Sequence, residues 1–169
     1  TDIERQSVPS TLSPSDSIDD GPAQESVKWN QGWNSFDGNW FYVDSVNPVS
    51  LHSGWLYTSG AWYWLDPSTY TMAIGLHECN GSAYWFNASG AMATGWLNIG
   101  GTWFYLDGSG AMVANGWRSL GGSWYWFDNS GAMATGWRQI DGARYYFSGS
   151  GAMVHDAWVG SYYVGEDGK

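Results

Sequence analysis

The sequence contains a single cysteine, Cys79, among 169 residues. No disulfide within the chain can staple it, and thiol usage does not fix its compartment. It has no apolar run of 18 residues or more, which excludes a transmembrane helix. The opening TDIERQSVPS lacks the basic segment and apolar stretch of a signal peptide, so the sequence reads as a mature protein or an excised fragment. Basic residues are scarce: six Lys and Arg stand against sixteen Asp and Glu, a net charge of −10. A nucleic-acid binder needs basic surface to displace phosphate counterions, so that class is excluded. Aliphatics are scarce as well. Leu, Ile, Val and Phe amount to 28 residues, a level that reads as disorder unless other side chains supply the packing.

Aromatic residues are what the chain has instead: 14 Trp, 11 Tyr and 6 Phe. Residues 1–27 contain none of them. That segment holds three of the five prolines and carries a charge of −5, half of the total. It cannot bury enough apolar surface to offset the entropy of ordering it. We read 1–27 as an acidic Ser/Pro-rich linker or tail and 28–169 as the folded domain.

From Lys28 onward the chain repeats itself. Trp33, Trp55, Leu76, Trp96, Trp117, Trp137 and Trp158 recur at intervals of 20 to 22 residues. Seven residues after each of the first six lies a second landmark: Trp40, Trp62, Ala83, Trp103, Trp124 and Arg144. Aromatic runs such as YWLD, FYLD and YWFD follow, then links such as ASGAMATG and NSGAMATG. Within each unit a pair suited to positive φ separates two strand-favouring runs: Asp37-Gly38, Ser59-Gly60, Asn80-Gly81, Gly100-Gly101, Gly121-Gly122 and Asp141-Gly142. Each unit therefore reads as a β-hairpin, and no segment shows a sustained helical period. One hairpin is marginal in water, so seven must stack, each burying a face on its neighbour.

The pairing geometry assigns the faces. With Gly100-Gly101 at the turn, Trp96 pairs with Tyr105 and Asn98 with Trp103. One face then carries Trp96, Asn98, Trp103 and Tyr105, and the other Leu97, Ile99, Phe104 and Leu106. The fifth unit places Trp117, Trp124 and Trp126 on the first face, with Leu120, Tyr125 and Phe127 on the second. Stacking sets two tryptophans of one unit against a ring of another. Tyr105, Trp126, Trp64 and Phe127 read as packing. The paired tryptophans read as a surface, since aliphatics would pack as well with less exposed ring. Three converging rings suit a quaternary ammonium, at roughly 0.5–2 kcal/mol per contact. The sum corresponds to affinity on the order of millimolar, which a repetitive polymer multiplies through effective concentration. Flat rings also suit sugar faces.

GWRSLGGSWYWFDNSGAMATGW, Gly116 to Trp137, resembles the choline-binding or cell-wall-binding repeats of Gram-positive surface proteins and phage lysins. The resemblance covers about residues 29–169. It implies an all-β solenoid of stacked β-hairpins in a left-handed superhelix, and a non-catalytic module, secreted or on the cell surface. It further implies recognition of choline or phosphocholine on teichoic acids between consecutive hairpins, helped by a Met or Leu of the connecting loop. Carried over by position, the implied choline-binding sets are Trp96, Trp103 and Tyr125, then Trp117, Trp124 and Tyr145. Two earlier sets are Trp55, Trp62 and Tyr84, and Trp33, Trp40 and Tyr63. Their links, SVNPVSLHS and PSTYTMAI, lack the GAM motif. Leu76 and Ala83 replace both tryptophans of the third unit, so its junction is expected to pack without binding choline. Arg144 is expected to repel a quaternary amine from the sixth. The seventh unit reads as a short terminal hairpin. Glucan-binding repeats and the carbohydrate-binding repeats of clostridial toxins share the aromatic-hairpin pattern, so a glycan is the alternative ligand. Neither nucleic acid nor membrane insertion is expected, and no cofactor.

Other motifs carry less. His77, Glu78 and Cys79 are adjacent on a strand and cannot all face one metal, so no metal site is expected; the segment reads as a turn with an exposed thiol. Asp44, Asp66, Asp107 and Asp128 share one repeat position, which points to a structural role. His52, His77 and His155 fall in links or turns, and no catalytic arrangement stands out.

Overall fold

The computed structural model describes residues 27–169. The tail assigned to 1–27 therefore lies, but for Val27, outside the described residues. The described residues are all-β and form fifteen strands with no helix among them. They pair as seven antiparallel hairpins. In chain order these are β1 (Gly32–Phe36) with β2 (Asn39–Val46), β4 (Gly54–Thr58) with β5 (Ala61–Leu65), and β6 (Gly75–Cys79) with β7 (Ser82–Phe86). There follow β8 (Gly95–Ile99) with β9 (Thr102–Leu106), β10 (Gly116–Leu120) with β11 (Ser123–Phe127), β12 (Gly136–Ile140) with β13 (Ala143–Phe147), and β14 (Ala157–Val159) with β15 (Tyr162–Val164).

The registers follow the turn chemistry. Both turn residues of each of the first six hairpins have positive φ, for example Asp141 at 50° and Gly142 at 81°. That conformation twists the flanking strands in the sense hairpins need. Trp96 pairs with Tyr105, Leu97 with Phe104, Asn98 with Trp103 and Ile99 with Thr102, as the pairing argument requires. The first unit differs from expectation. Its link SVNPVSLHS forms β3 (Val49–Leu51), which pairs with β2 and makes that sheet three-stranded.

The chain divides into two compact units. One runs to Cys79 and takes in Trp85–Met92; the other comprises Asn80–Tyr84 and Ala93–Lys169. In each, the last residue of a hairpin's pairing register, on the second strand, is sealed from solvent. These are Val43, Leu65 and Phe86 in the first unit, and Leu106, Phe127, Phe147 and Val164 in the second, all at most 1% exposed. Each repeat contributes one such sealed side chain, and Trp64, Cys79, Val113, Ala134 and Ile140 are among the other buried residues that fill in around them, so few aliphatics suffice.

The links space the hairpins through their backbone. In the second unit the N–H groups of Met112, Met133 and Met153 donate to the carbonyls of Ala83, Trp103 and Trp124, one hairpin back, at 2.8–2.9 Å. In the first unit Met72 and Met92 donate likewise to Trp40 and Trp62. The carbonyl at the second landmark is thus structural whatever its side chain, so Ala83 serves as well as tryptophan. Tyr70-Thr71-Met72 stands where GAM does in later links, with Tyr70 at φ 60° in the glycine's place: Met72 bridges to Leu65, and Ala73 N–H donates to the Trp64 carbonyl.

The periodic carboxylates hold these links. Asp107 Oδ1 accepts from the N–H and hydroxyl of Ser109 and from Ala111 N–H. Asp128 does the same with Ser130 and Ala132. The Ser68, Ser109 and Ser130 hydroxyls hold the carboxyls of Asp66, Asp107 and Asp128 below the usual carboxylate range. Asp44 departs from this pattern and meets His52 Nδ1 at 3.1 Å.

Met72, Met112 and Met133 each also lie against a glycine of a later link, and Met153 lies against Gly168. Gly131 has φ +83°, and a Cβ there would approach Met112 Sδ to 2.8 Å and the Val113 carbonyl oxygen to 3.2 Å. Gly131→Ala is expected to cost about 1–3 kcal/mol, seen as a lower midpoint in denaturant unfolding.

Cys79 corrects the expectation of an exposed thiol: it is 1% exposed. It ends β6 at the position that Ile99, Leu120 and Ile140 hold in later hairpins, where it packs as a small apolar side chain. Burial pushes its thiol up to about 11, and the Asp66 charge adds to the effect. A disulfide reagent at pH 8 is expected to leave Cys79 unmodified in the folded protein and to label it promptly in denaturant.

Candidate functional site

The sites are built at the junctions between consecutive hairpins. In the fifth hairpin, Trp117 pairs with Trp126 and Ser119 with Trp124, so Trp117 and Trp124 stand on one face. Their rings lie 6.5 Å apart at 83°. From the sixth hairpin, Tyr145 approaches Trp117 to 4.8 Å at 71°. Three mutually inclined rings form an open corner. Met153, from the link after that hairpin, joins Trp117, Trp124 and Tyr145 in lining a cavity of about 650 Å³. Asp156, Glu166 and Asp167 stand at the same cavity; Asp167 is paired with Lys169 at 3.0 Å, and the carboxylates of the other two favour a cation.

The fourth junction repeats the arrangement. Trp96 and Trp103 lie 6.4 Å apart at 85°, and Tyr125 meets Trp96 at 5.0 Å and 63°. In the first unit, Trp33 meets Tyr63 at 5.0 Å and 63°, although no GAM link precedes it. The register sets Trp40 opposite Ser35, on the face of Trp33. Trp55 and Trp62 lie 6.2 Å apart at 89°; the third ring expected with them, Tyr84, belongs to the other unit.

The same rings serve packing and surface. Trp117, Tyr145, Trp126 and Met153 pack on the buried cluster of Ala134, Ile140 and Phe147, while Phe127 and Trp64 are buried outright. The second tryptophans stay open: Trp40, Trp62, Trp103 and Trp124 are each more than 40% exposed. Each is about half-buried, so a large apolar ring is left partly open at every such junction. Leu76 is also exposed, and no ring stands at 76 or 83 to build a corner.

Sequence reasoning missed one ring and three carboxylates at these junctions. Tyr162, in the shortened terminal hairpin, comes 5.7 Å from Trp137, the place that Tyr125 and Tyr145 hold elsewhere. The Asp156, Glu166 and Asp167 carboxylates come from the last link and the C-terminal segment, outside the periodic pattern.

A family model described as a choline-binding repeat matches residues 73–117 and again 114–158. A second, described as a putative cell wall binding repeat, matches residues 53–68. Together they span more than half of the chain. The chain belongs to the choline-binding repeat family. Among solved structures it is similar to CbpJ from Streptococcus pneumoniae TIGR4, at 37% identity and a TM-score of 0.76 over 82% of this chain and 47% of that one. It is also similar to choline binding protein F of Streptococcus pneumoniae, solved in the presence of a peptidoglycan analogue, at 35% identity and a TM-score of 0.76 over 82% and 46%. The choline-binding domain of CbpL, from the same species, matches at 29% identity and a TM-score of 0.59 over 83% and 86%. The chain thus spans a little under half the length of the first two structures. Among curated protein sequences there is no significant match. The repeats make this chain a choline-binding, cell-wall-associated binding module built of stacked hairpins.

Proposed function

We propose that the module anchors a longer, secreted protein to the Gram-positive wall by holding the choline of phosphocholine groups on teichoic acids. The sets Trp33, Trp40 and Tyr63, Trp96, Trp103 and Tyr125, and Trp117, Trp124 and Tyr145 are the choline cages, and Trp55 and Trp62 supply walls of another. The observation that carries this reading is the inclination of the rings. Rings at 60–85° to one another present several faces to one compact cation, the arrangement used for quaternary ammonium groups. A sugar stacks on one broad ring face and draws no advantage from the inclination. Each site is weak, and several at one repeat spacing gain affinity on a polymer that carries many choline groups.

The test is sedimentation of the protein with walls that carry phosphocholine teichoic acid and with walls whose choline has been replaced by ethanolamine. Co-sedimentation with the first, released by free choline, and none with the second is expected. Equal binding to both would overturn the teichoic-acid reading and favour a glycan.

A further inference from the structure

The sixth junction has two aromatic walls and no second tryptophan. Trp137 pairs with Tyr146 and Gln139 with Arg144, so Trp137 and Arg144 share the face on which other hairpins carry their tryptophan pair. The terminal hairpin is two residues shorter in each strand, yet it still presents Tyr162, 5.7 Å from Trp137 at 76°. The Arg144 guanidinium carbon lies 5.2 Å from the centre of the Trp137 ring and 5.7 Å from that of Tyr162. Both distances are those of a cation held against aromatic faces. Among the described residues, no carboxylate lies within ion-pair distance of Arg144; the rings are its partners. A guanidinium is always charged, planar and weakly hydrated, so it suits such a place better than an ammonium would.

We propose that the sixth junction is a quaternary-ammonium cage closed by the protein's own guanidinium. Arg144 is a tethered competitor. It occupies the two walls that an external cation would need, and its tether makes the contact intramolecular, so choline must displace it to enter. Its effect is therefore occupation of the site, beyond the charge repulsion that the sequence alone implies. The junction keeps the packing of Trp137 on Tyr162 and gives up a ligand. This rests on reading the other junctions as quaternary-ammonium cages.

Two measurements test it. The first is the number of choline sites by calorimetry in the wild type, R144W and R144K, with folding checked by circular dichroism. R144W rebuilds three walls and is expected to bind one more choline per chain than the wild type, while R144K, which keeps a cation, gains none. A folded R144W with the wild-type number of sites would overturn the proposal. The second needs no ligand: the Arg144 side-chain protons nearest the guanidinium, read by nuclear magnetic resonance in the wild type. Ring currents of Trp137 and Tyr162 are expected to move them upfield of an unstructured arginine, and saturating choline is expected to leave them there. Resonances at the unstructured position, or displaced by choline, would overturn the proposal. Absence of choline binding in the wild type and R144W alike would overturn the cage reading and with it a closed cage, while the resonances would still report where Arg144 sits.

Discussion

Replacing Phe127 by alanine is expected to destabilise the protein by about 3–5 kcal/mol, the cost of emptying the space of a fully buried phenyl ring. Phe127 is 0% exposed. It ends the fifth hairpin's register opposite Gly116, bridges to Met133 in the following link, and lies 5.9 Å from Trp96 of the fourth hairpin. A close-packed interior collapses only partly around such a void. Denaturant unfolding followed by tryptophan emission measures the loss. A change under about 1 kcal/mol would mean that the buried row is not what holds the hairpins together. The same substitution removes the support behind Trp96, so binding at the fourth junction is expected to weaken with it.

The second large effect falls on binding with little cost in stability. Trp124→Ala is expected to weaken choline at the fifth junction by about tenfold, since one good cation–aromatic contact is worth about 1–2 kcal/mol. Trp124 is 49% exposed, and what it gives the fold is its carbonyl, which accepts from Met153 N–H. Alanine keeps that carbonyl, as Ala83 shows with Met112. Calorimetry is expected to count one choline fewer in the millimolar range, at an unfolding midpoint close to the wild type. Leu76→Ala is the control, with the number of sites unchanged. A large drop in stability with Trp124→Ala, or an equal loss of sites in both variants, would assign Trp124 to packing instead.

Much of this arrangement was legible because side-chain type and strand alternation are tied together. Gly-Gly and Asp-Gly pairs set the turns, the turns set the register, and the register set Trp96 and Trp103 on one face and Tyr125 on the other. What was not legible depends on the backbone or on a single repeat. The methionine N–H ladder uses the carbonyls of Ala83, Trp103 and Trp124 alike, and a main-chain acceptor leaves no trace in residue identity. The strand β3 was hidden in SVNPVSLHS because three residues are too few to show a period. Cys79 was misjudged because its neighbours His77 and Glu78 drew it toward a turn, whereas its repeat position is apolar in every later hairpin. Arg144 could be seen as a cation at a tryptophan position, but its seat between Trp137 and Tyr162 needed the terminal hairpin in place.

The most direct measurement is a titration of intrinsic tryptophan emission with choline, with tetramethylammonium and with glucose oligomers. If the inclined rings are cages, choline and tetramethylammonium change the emission saturably, with midpoints on the order of millimolar, and the sugars do not. Saturation by the sugars alone, or no response to choline up to about 100 mM, where three aromatic walls should be full, would contradict the account.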